Sequence, residues 1–147
     1  MTDLRLAASA PGLRVRTVAL PEPVDLLRVL PPGPVMSWVR NGDGLVAWGE
    51  AARLQVAGQE RFSRAHRWWS QLCDSARIAD DVSVPGSGPV AFASFTFAGG
   101  PDSSCVIVPE FLVGRRDGKS WLTVIGDAAE PDLTTRTVAG PAPAVRE

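Results

Sequence analysis

The sequence predicts an α+β domain, a mainly antiparallel sheet with a packed helix. Three observations predict it. Two β-rich runs meet at Asn41-Gly42-Asp43-Gly44 and two more at Arg115-Arg116-Asp117-Gly118, the Asn-Gly and Asp-Gly pattern of tight hairpins. Between them, over Glu60 to Ala79 (ERFSRAHRWWSQLCDSARIA), the apolar spacing becomes helical. Finally, 147 residues at 45% apolar and 21% charged suffice for one core, and a mean hydropathy of +0.04 argues against general disorder.

Taken along the chain, Leu13 to Leu20 (LRVRTVAL) reads as a first strand, stopped by Pro21-Glu22-Pro23. Val24 to Leu30 then makes one or two turns of helix before Pro31-Pro32-Gly33-Pro34 ends it. Val35 to Arg40 and Leu45 to Gly49 form the first hairpin, and the parity of its turn sends Trp38 and Trp48 to opposite faces. Both faces are therefore expected to be covered, one of them by the long helix. Arg53 to Ala57 adds a short strand.

In the long helix Phe62, Ala65, Trp69, Leu72, Cys73 and Ala76 fall on one apolar stripe. Val90 to Phe97 mixes large and small apolar residues on both sides, as a central strand covered on two faces would. Ala98 to Ser104 is a glycine-rich surface connection. Ser104 to Val113 and Ser120 to Ile125 pair as the second hairpin, with Pro109 requiring an edge or a bulge. Beyond Gly126 the chain turns to Ala, Pro and Thr. The organisation expected is a disordered or extended N-terminus over 1–12, an α+β domain over 13–126 and a linker or tail over 127–147.

The formal net charge is -1, with arginines scattered along the chain rather than gathered in one run, so no nucleic-acid partner is expected. Cys73 and Cys105 have no metal-ligand spacing and read as buried, reduced thiols. No run approaches the ~18 apolar residues of a membrane span, and no signal-type apolar region opens the chain, so the expected location is cytoplasmic, with no membrane partner.

Candidate chemistry is sparse. A phosphate loop needs backbone N–H groups and a helix start behind it, but Asn41 to Gly44 runs into the strand-like Leu45-Val46-Ala47-Trp48, so it reads as a turn. His66 lies beside the apolar stripe between Arg64 and Arg67, with no nucleophile motif near it, and reads as a solvated side chain. Asp80-Asp81 has the composition of a metal or acid/base pair, yet adjacent carboxylates rarely converge, which favours a polar loop. Glu110 reads as an edge carboxylate. Arg115, Arg116 and Lys119 read as a solvated hairpin tip that discourages strand pairing with other chains. No catalytic, cofactor-binding or metal-ligating residue is assigned.

Three runs nevertheless carry a resemblance: SWVRNGDGLVAWGEAARLQVAG (37–58), GPVAFASFTFAG (88–99) and VIVPEFLVGRRDGKSWLTVIG (106–126). In this order they resemble the N-terminal region of isochorismate synthases of the menaquinone and siderophore type, within the chorismate-utilising enzymes. Ala93-Ser94 departs from the family pattern, which often has paired glycines there. The resemblance implies an enzyme that binds chorismate and Mg2+, adding water at one ring carbon while expelling the neighbouring hydroxyl. A lysine base and glutamates serving as acid and metal ligands belong to the family's C-terminal region. Its lysine motif does not occur in this sequence. The resemblance therefore implies an N-terminal scaffold portion, inactive alone, with chorismate and Mg2+ held by a catalytic region outside this chain. The alternatives are a standalone binding or regulatory module, or the corresponding part of an anthranilate, aminodeoxychorismate or salicylate synthase.

Overall fold

The computed structural model of the protein describes residues 12–94, 104–131 and 133. Strand β1 (Arg14–Ala19) leads to a 3-10 turn at Leu26–Arg28, then to β2 (Val35–Arg40), β3 (Asp43–Trp48) and β4 (Ala52–Val56). Helix α1 (Arg61–Ser75) follows, then β5 (Arg77–Asp80), β6 (Phe92–Ser94), β7 (Ser104–Val108), β8 (Phe111–Arg116) and β9 (Lys119–Ile125). Six strands form one sheet in the order β2-β3-β8-β9-β1-β5, and three form another in the order β4-β7-β6. Among the described residues only β1 with β5 is parallel; the other pairings are antiparallel. The predicted α+β class with one α-helix and mainly antiparallel sheet is the class observed.

Both hairpins turn as expected. Arg40 pairs with Asp43 and Arg116 with Lys119, leaving two-residue loops, Asn41-Gly42 and Asp117-Gly118. Their φ angles of 54° and 84°, and of 52° and 79°, are the positive pair that a primed turn demands and that Asn-Gly and Asp-Gly supply at low cost. Trp38 and Trp48 do face opposite ways. Asp25 caps the 3-10 turn, its Oδ1 accepting from the Leu27 N–H at 3.2 Å.

Several expectations are corrected. The run Ser104 to Val113 is two strands in two different sheets, because the chain turns a corner at Pro109-Glu110, where proline cannot donate to a ladder. The helix stops at Ser75: Ala76 is extended (φ -73°, ψ 148°), and Arg77–Asp80 pairs with β1 instead. Of the expected stripe of α1, Ala65 and Leu72 are buried and Trp69 and Ala76 pack partly buried against the same core, but Arg61 and Trp68 are buried with them and Phe62 is 45% exposed. Described residues of the Val90–Phe97 run form β6 at a sheet edge rather than a central strand. Helix α1 packs with β4 and β7, not on the first hairpin, whose Trp38 is 76% exposed and uncovered. Cys73 and Cys105 are free but only partly buried. The expectations for 1–11, for Phe95–Phe97, for the connection up to Ser103 and for most of the tail fall outside the described residues.

The six-stranded sheet is buried on both faces. On one, Val39, Val46, Val113, Leu122 and Val124 pack against Leu26 and Val29 from the segment after β1, with Ala128 and Leu133 alongside. On the other, Val15 and Ile125 join the core shared by α1, β4 and β7, while Ala47, Leu112 and Trp121 meet Val82, Val84, Val90 and Phe92. The two halves of this second face flank a buried pair, Thr17 Oγ1 to Thr123 Oγ1 at 2.6 Å, which also accepts the Gly88 N–H at 3.0 Å.

Trp121 lies across β8 directly over Gly114, its cross-strand partner; a Cβ at Gly114 would sit 2.3 Å from the indole carbons. Its Nε1 donates to the Gly86 carbonyl at 3.1 Å. Gly114→Ala therefore forces Trp121 off its seat, and the expected loss is about 1–3 kcal/mol, the usual range for overpacking. Urea unfolding should show a lower midpoint at unchanged slope, and an unchanged midpoint would mean that the indole has another place to lie.

Candidate functional site

Pairing of β3 with β8 sets Gly44 opposite Arg115, which brings the tips of the two hairpins side by side. The Asp117 N–H reaches Asp43 Oδ2 at 3.4 Å, and Arg115 Nε lies 3.8 Å from Asp43 Oδ1. Beside them opens a groove of about 600 Å³ whose apolar wall is Trp38, Leu45 and Trp121, closed by Pro85 and Gly86. Arg40, Arg115 and Arg116 also line it and outnumber Asp43 and Asp117. An uncovered indole with cations nearby can hold an aromatic or anionic group by stacking and charge. The groove brings together the two turns that the sequence singled out separately; what the sequence could not supply was the long-range β3–β8 pairing.

Arg115 departs from the expected solvated tip. It is half-buried, and its Nη1 donates to the Val24 carbonyl at 3.1 Å, tying the second hairpin to the segment before the 3-10 turn. Arg116 and Lys119 are exposed as expected. Glu110 sits at the corner between the two sheets, its backbone carbonyl accepting from the Ile125 N–H at 2.8 Å and its Cβ 2.7 Å from where a Cβ on Gly49 would stand.

His66 is exposed on α1, as its phase between Arg64 and Arg67 indicated. Arg61, by contrast, is buried, with its Nη1 on the Gly58 carbonyl at 2.8 Å and its guanidinium 4.6 Å from the Phe62 ring centre. Burial, and then the neighbouring Asp74 charge, push the Cys73 thiol above its ordinary value, away from a reactive thiolate.

The two adjacent carboxylates separate rather than converge. Asp81 is exposed, whereas Asp80 turns into the following loop: its Oδ1 accepts from the Val82 and Ser83 N–H groups, both at 2.9 Å, and its Oδ2 from the Ser87 hydroxyl at 2.7 Å. Among the described residues no three His, Cys, Asp or Glu side chains gather to hold a metal ion. Asp80 is thus the organiser of loop 81–88, the strip that carries Pro85 and Gly86 to the groove. A signal for this was present in the aspartate followed at two and three positions by free N–H groups, the pattern of an Asx turn.

Burial raises the Asp80 carboxyl, but the hydrogen bonds from Ser87, Ser83 and Val82 outweigh it and hold the group below the ordinary aspartate value. A folded-state value below the unfolded one stabilises the fold above the ordinary value of ~3.9 and ceases to do so as pH falls through the lowered value. The stability advantage of the wild type over Asp80→Asn should therefore be full at pH 6 and shrink in that acid window; thermal unfolding across pH 2–6 measures it, and a constant difference would contradict the role of the charge.

In comparison with protein families, a family model described as chorismate binding enzyme matches residues 28–139, a span that holds both hairpins, α1 and the groove. No curated protein and no solved structure matches the chain. The matched span takes in most of the 147 residues, and the chain belongs to the chorismate binding enzyme family.

Proposed function

We propose that this chain is the N-terminal scaffold portion of an isochorismate synthase, the chorismate-utilising enzyme that interconverts chorismate and isochorismate. The observation that carries the proposal is the family match over 28–139, within which lie, in order, the three runs at 37–58, 88–99 and 106–126 that resemble isochorismate synthases.

The geometry accords with a scaffold. Hydration of the ring at one carbon with loss of the neighbouring hydroxyl needs a positioned base, a positioned acid and cationic groups for the carboxylates. The hairpin groove has cations and an indole, but its acids, Asp43 and Asp117, are spent on Arg115 and on a turn. The described residues do not fit a Mg2+ site, since no set of carboxylates converges, and the proposal places that ion, like the reacting groups, on a catalytic region outside this chain. The role left to these residues is geometric: to present a rigid two-sheet surface.

Where that surface lies is suggested by the exposed large apolar residues. Val35 and Trp38 belong to β2 and Ile78 to β5, the two edge strands of the six-stranded sheet, and Phe62 to α1. Uncovered edges with apolar side chains are sites for pairing or packing with further chain. A cytoplasmic location belongs to the same proposal; among the described residues no helix is long and apolar enough to cross a membrane, and the two free cysteines accord with a reducing compartment.

Two measurements test this reading. Incubated with chorismate and Mg2+, the purified chain should yield no isochorismate by chromatography, and isochorismate should appear when the lysine-bearing catalytic region of an isochorismate synthase is supplied. Turnover by the chain alone overturns the scaffold role, and an anthranilate-type product from the reconstituted pair overturns the assignment within the family. The isolated chain should also bind a hydrophobic dye or self-associate on gel filtration; a monomer without dye binding contradicts an uncovered docking surface.

A further inference from the structure

Strand β2 ends the six-stranded sheet with little to blunt it. Charges, prolines and bulges are what usually close an edge strand to further pairing. Here the six residues pair with β3 without a bulge, Pro34 lies before the strand, and the single charge, Arg40, stands at the last position. The two-residue turn makes Arg40–Asp43 a hydrogen-bonded pair, and with it the alternate pairs Trp38–Leu45 and Met36–Ala47. The N–H and C=O groups of Val35, Ser37 and Val39 therefore point the other way, to the edge on which no described strand lies.

The side chains around this edge complement one another. Beside the start of β2 a cleft of about 550 Å³ opens between the first hairpin and the smaller sheet, walled by Pro34, Met36 and Ile107. Glu50 and Arg53, 3.1 Å apart and both half-exposed, also line it. Toward the other end of β2 stand Trp38, 76% exposed, and Arg40, exposed and in no ion pair with a carboxylate of the described residues. One end thus offers an apolar cleft with a carboxylate, the other an indole with a cation. An antiparallel copy of the strand exchanges the two ends, so that each meets its complement.

Parity fixes the register. Outward N–H and C=O groups must face one another, so odd positions meet odd ones, and a two-fold axis at Ser37 uses all of them: Ser37 faces Ser37 of the second copy and Val35 faces Val39. The same register sets Trp38 opposite Met36 and Arg40 opposite Pro34, which brings the indole to the cleft and the guanidinium beside Glu50. A cleft within the ~300–1,000 Å³ that enclose drug-sized molecules admits an indole. We propose that two copies of this chain associate through their β2 strands into a closed two-fold dimer, Trp38 of each filling the cleft of the other and Arg40 pairing with Glu50. The dimer does not rest on the scaffold reading. It leaves β5 and α1, where Ile78 and Phe62 are exposed, to a catalytic region.

The test is sedimentation of the purified 147-residue chain over a concentration series. The wild type should pass from monomer to dimer and form nothing larger. Trp38→Ala, which removes an exposed side chain and should leave thermal unfolding of the dilute monomer unchanged, should weaken dimerisation by about tenfold or more, since both copies lose the indole. Arg40→Glu and Glu50→Arg should each dimerise more weakly alone, whereas an equimolar mixture of the two restores an opposite charge at both contacts and should recover the dimer. Ile78→Ala on the far edge should change nothing. A chain that stays monomeric at every concentration, or a dimer indifferent to Trp38→Ala and to both charge variants, overturns the proposal. So does a monomer that uses Trp38 only to take up the catalytic region of an isochorismate synthase, because the edge then belongs to that region.

Discussion

The seating of Trp121 on Gly114 is the contact on which the arrangement depends. A side chain on β9 crosses its neighbour β8 because the residue there has no Cβ, and from that position its N–H reaches the carbonyl of Gly86 in a loop 35 residues away in sequence. One indole therefore joins the second hairpin to the loop that follows β5. Asp80 and Ser87 shape that loop from within, and Gly88 ties its far end to Thr17 and Thr123 in the middle of the sheet. Removal of any one of these anchors leaves a loop held by the others, whereas displacement of the indole also opens the core around Ala47 and Leu112.

The consequence for function runs through rigidity. This member of the chorismate binding enzyme family holds its two sheets in a fixed relation. The corner at Pro109-Glu110 passes the chain directly from one sheet to the other, and Val15 and Ile125 of the larger sheet share a core with α1 and the smaller one. Such a body can present its edges in one geometry, as the proposed scaffold role requires.

Much of this was legible in the sequence wherever the determinant was local. The Asn41-Gly42 and Asp117-Gly118 turns, the opposed tryptophans of the first hairpin and the long helix follow from turn chemistry and periodicity. What was not legible was decided by contacts distant in sequence. Arg77 to Asp80 reads as the last turn of a helix, and the free edge of β1 converts it to a parallel strand. Trp68 and Trp69 are indistinguishable by composition, and the direction of the core selects Trp68. Arg115 reads as one more exposed arginine of a polar tip until the Val24 carbonyl comes within reach across the fold. The groove between the hairpins was hidden for the same reason, since Asp43 and Asp117 in its two halves are 74 residues apart and the β3–β8 register brings them together.

The central claim is that the sheet, the indole and the loop form one rigid unit, and native-state hydrogen exchange tests it most directly. The Trp121 indole N–H and the Gly88 amide should exchange only through the same global opening that frees the amides of β9, with equal protection and equal denaturant dependence. Fast exchange at Gly88 and Trp121 while β9 remains protected would show that the loop opens by itself, and the account of a single preorganised scaffold would then be wrong.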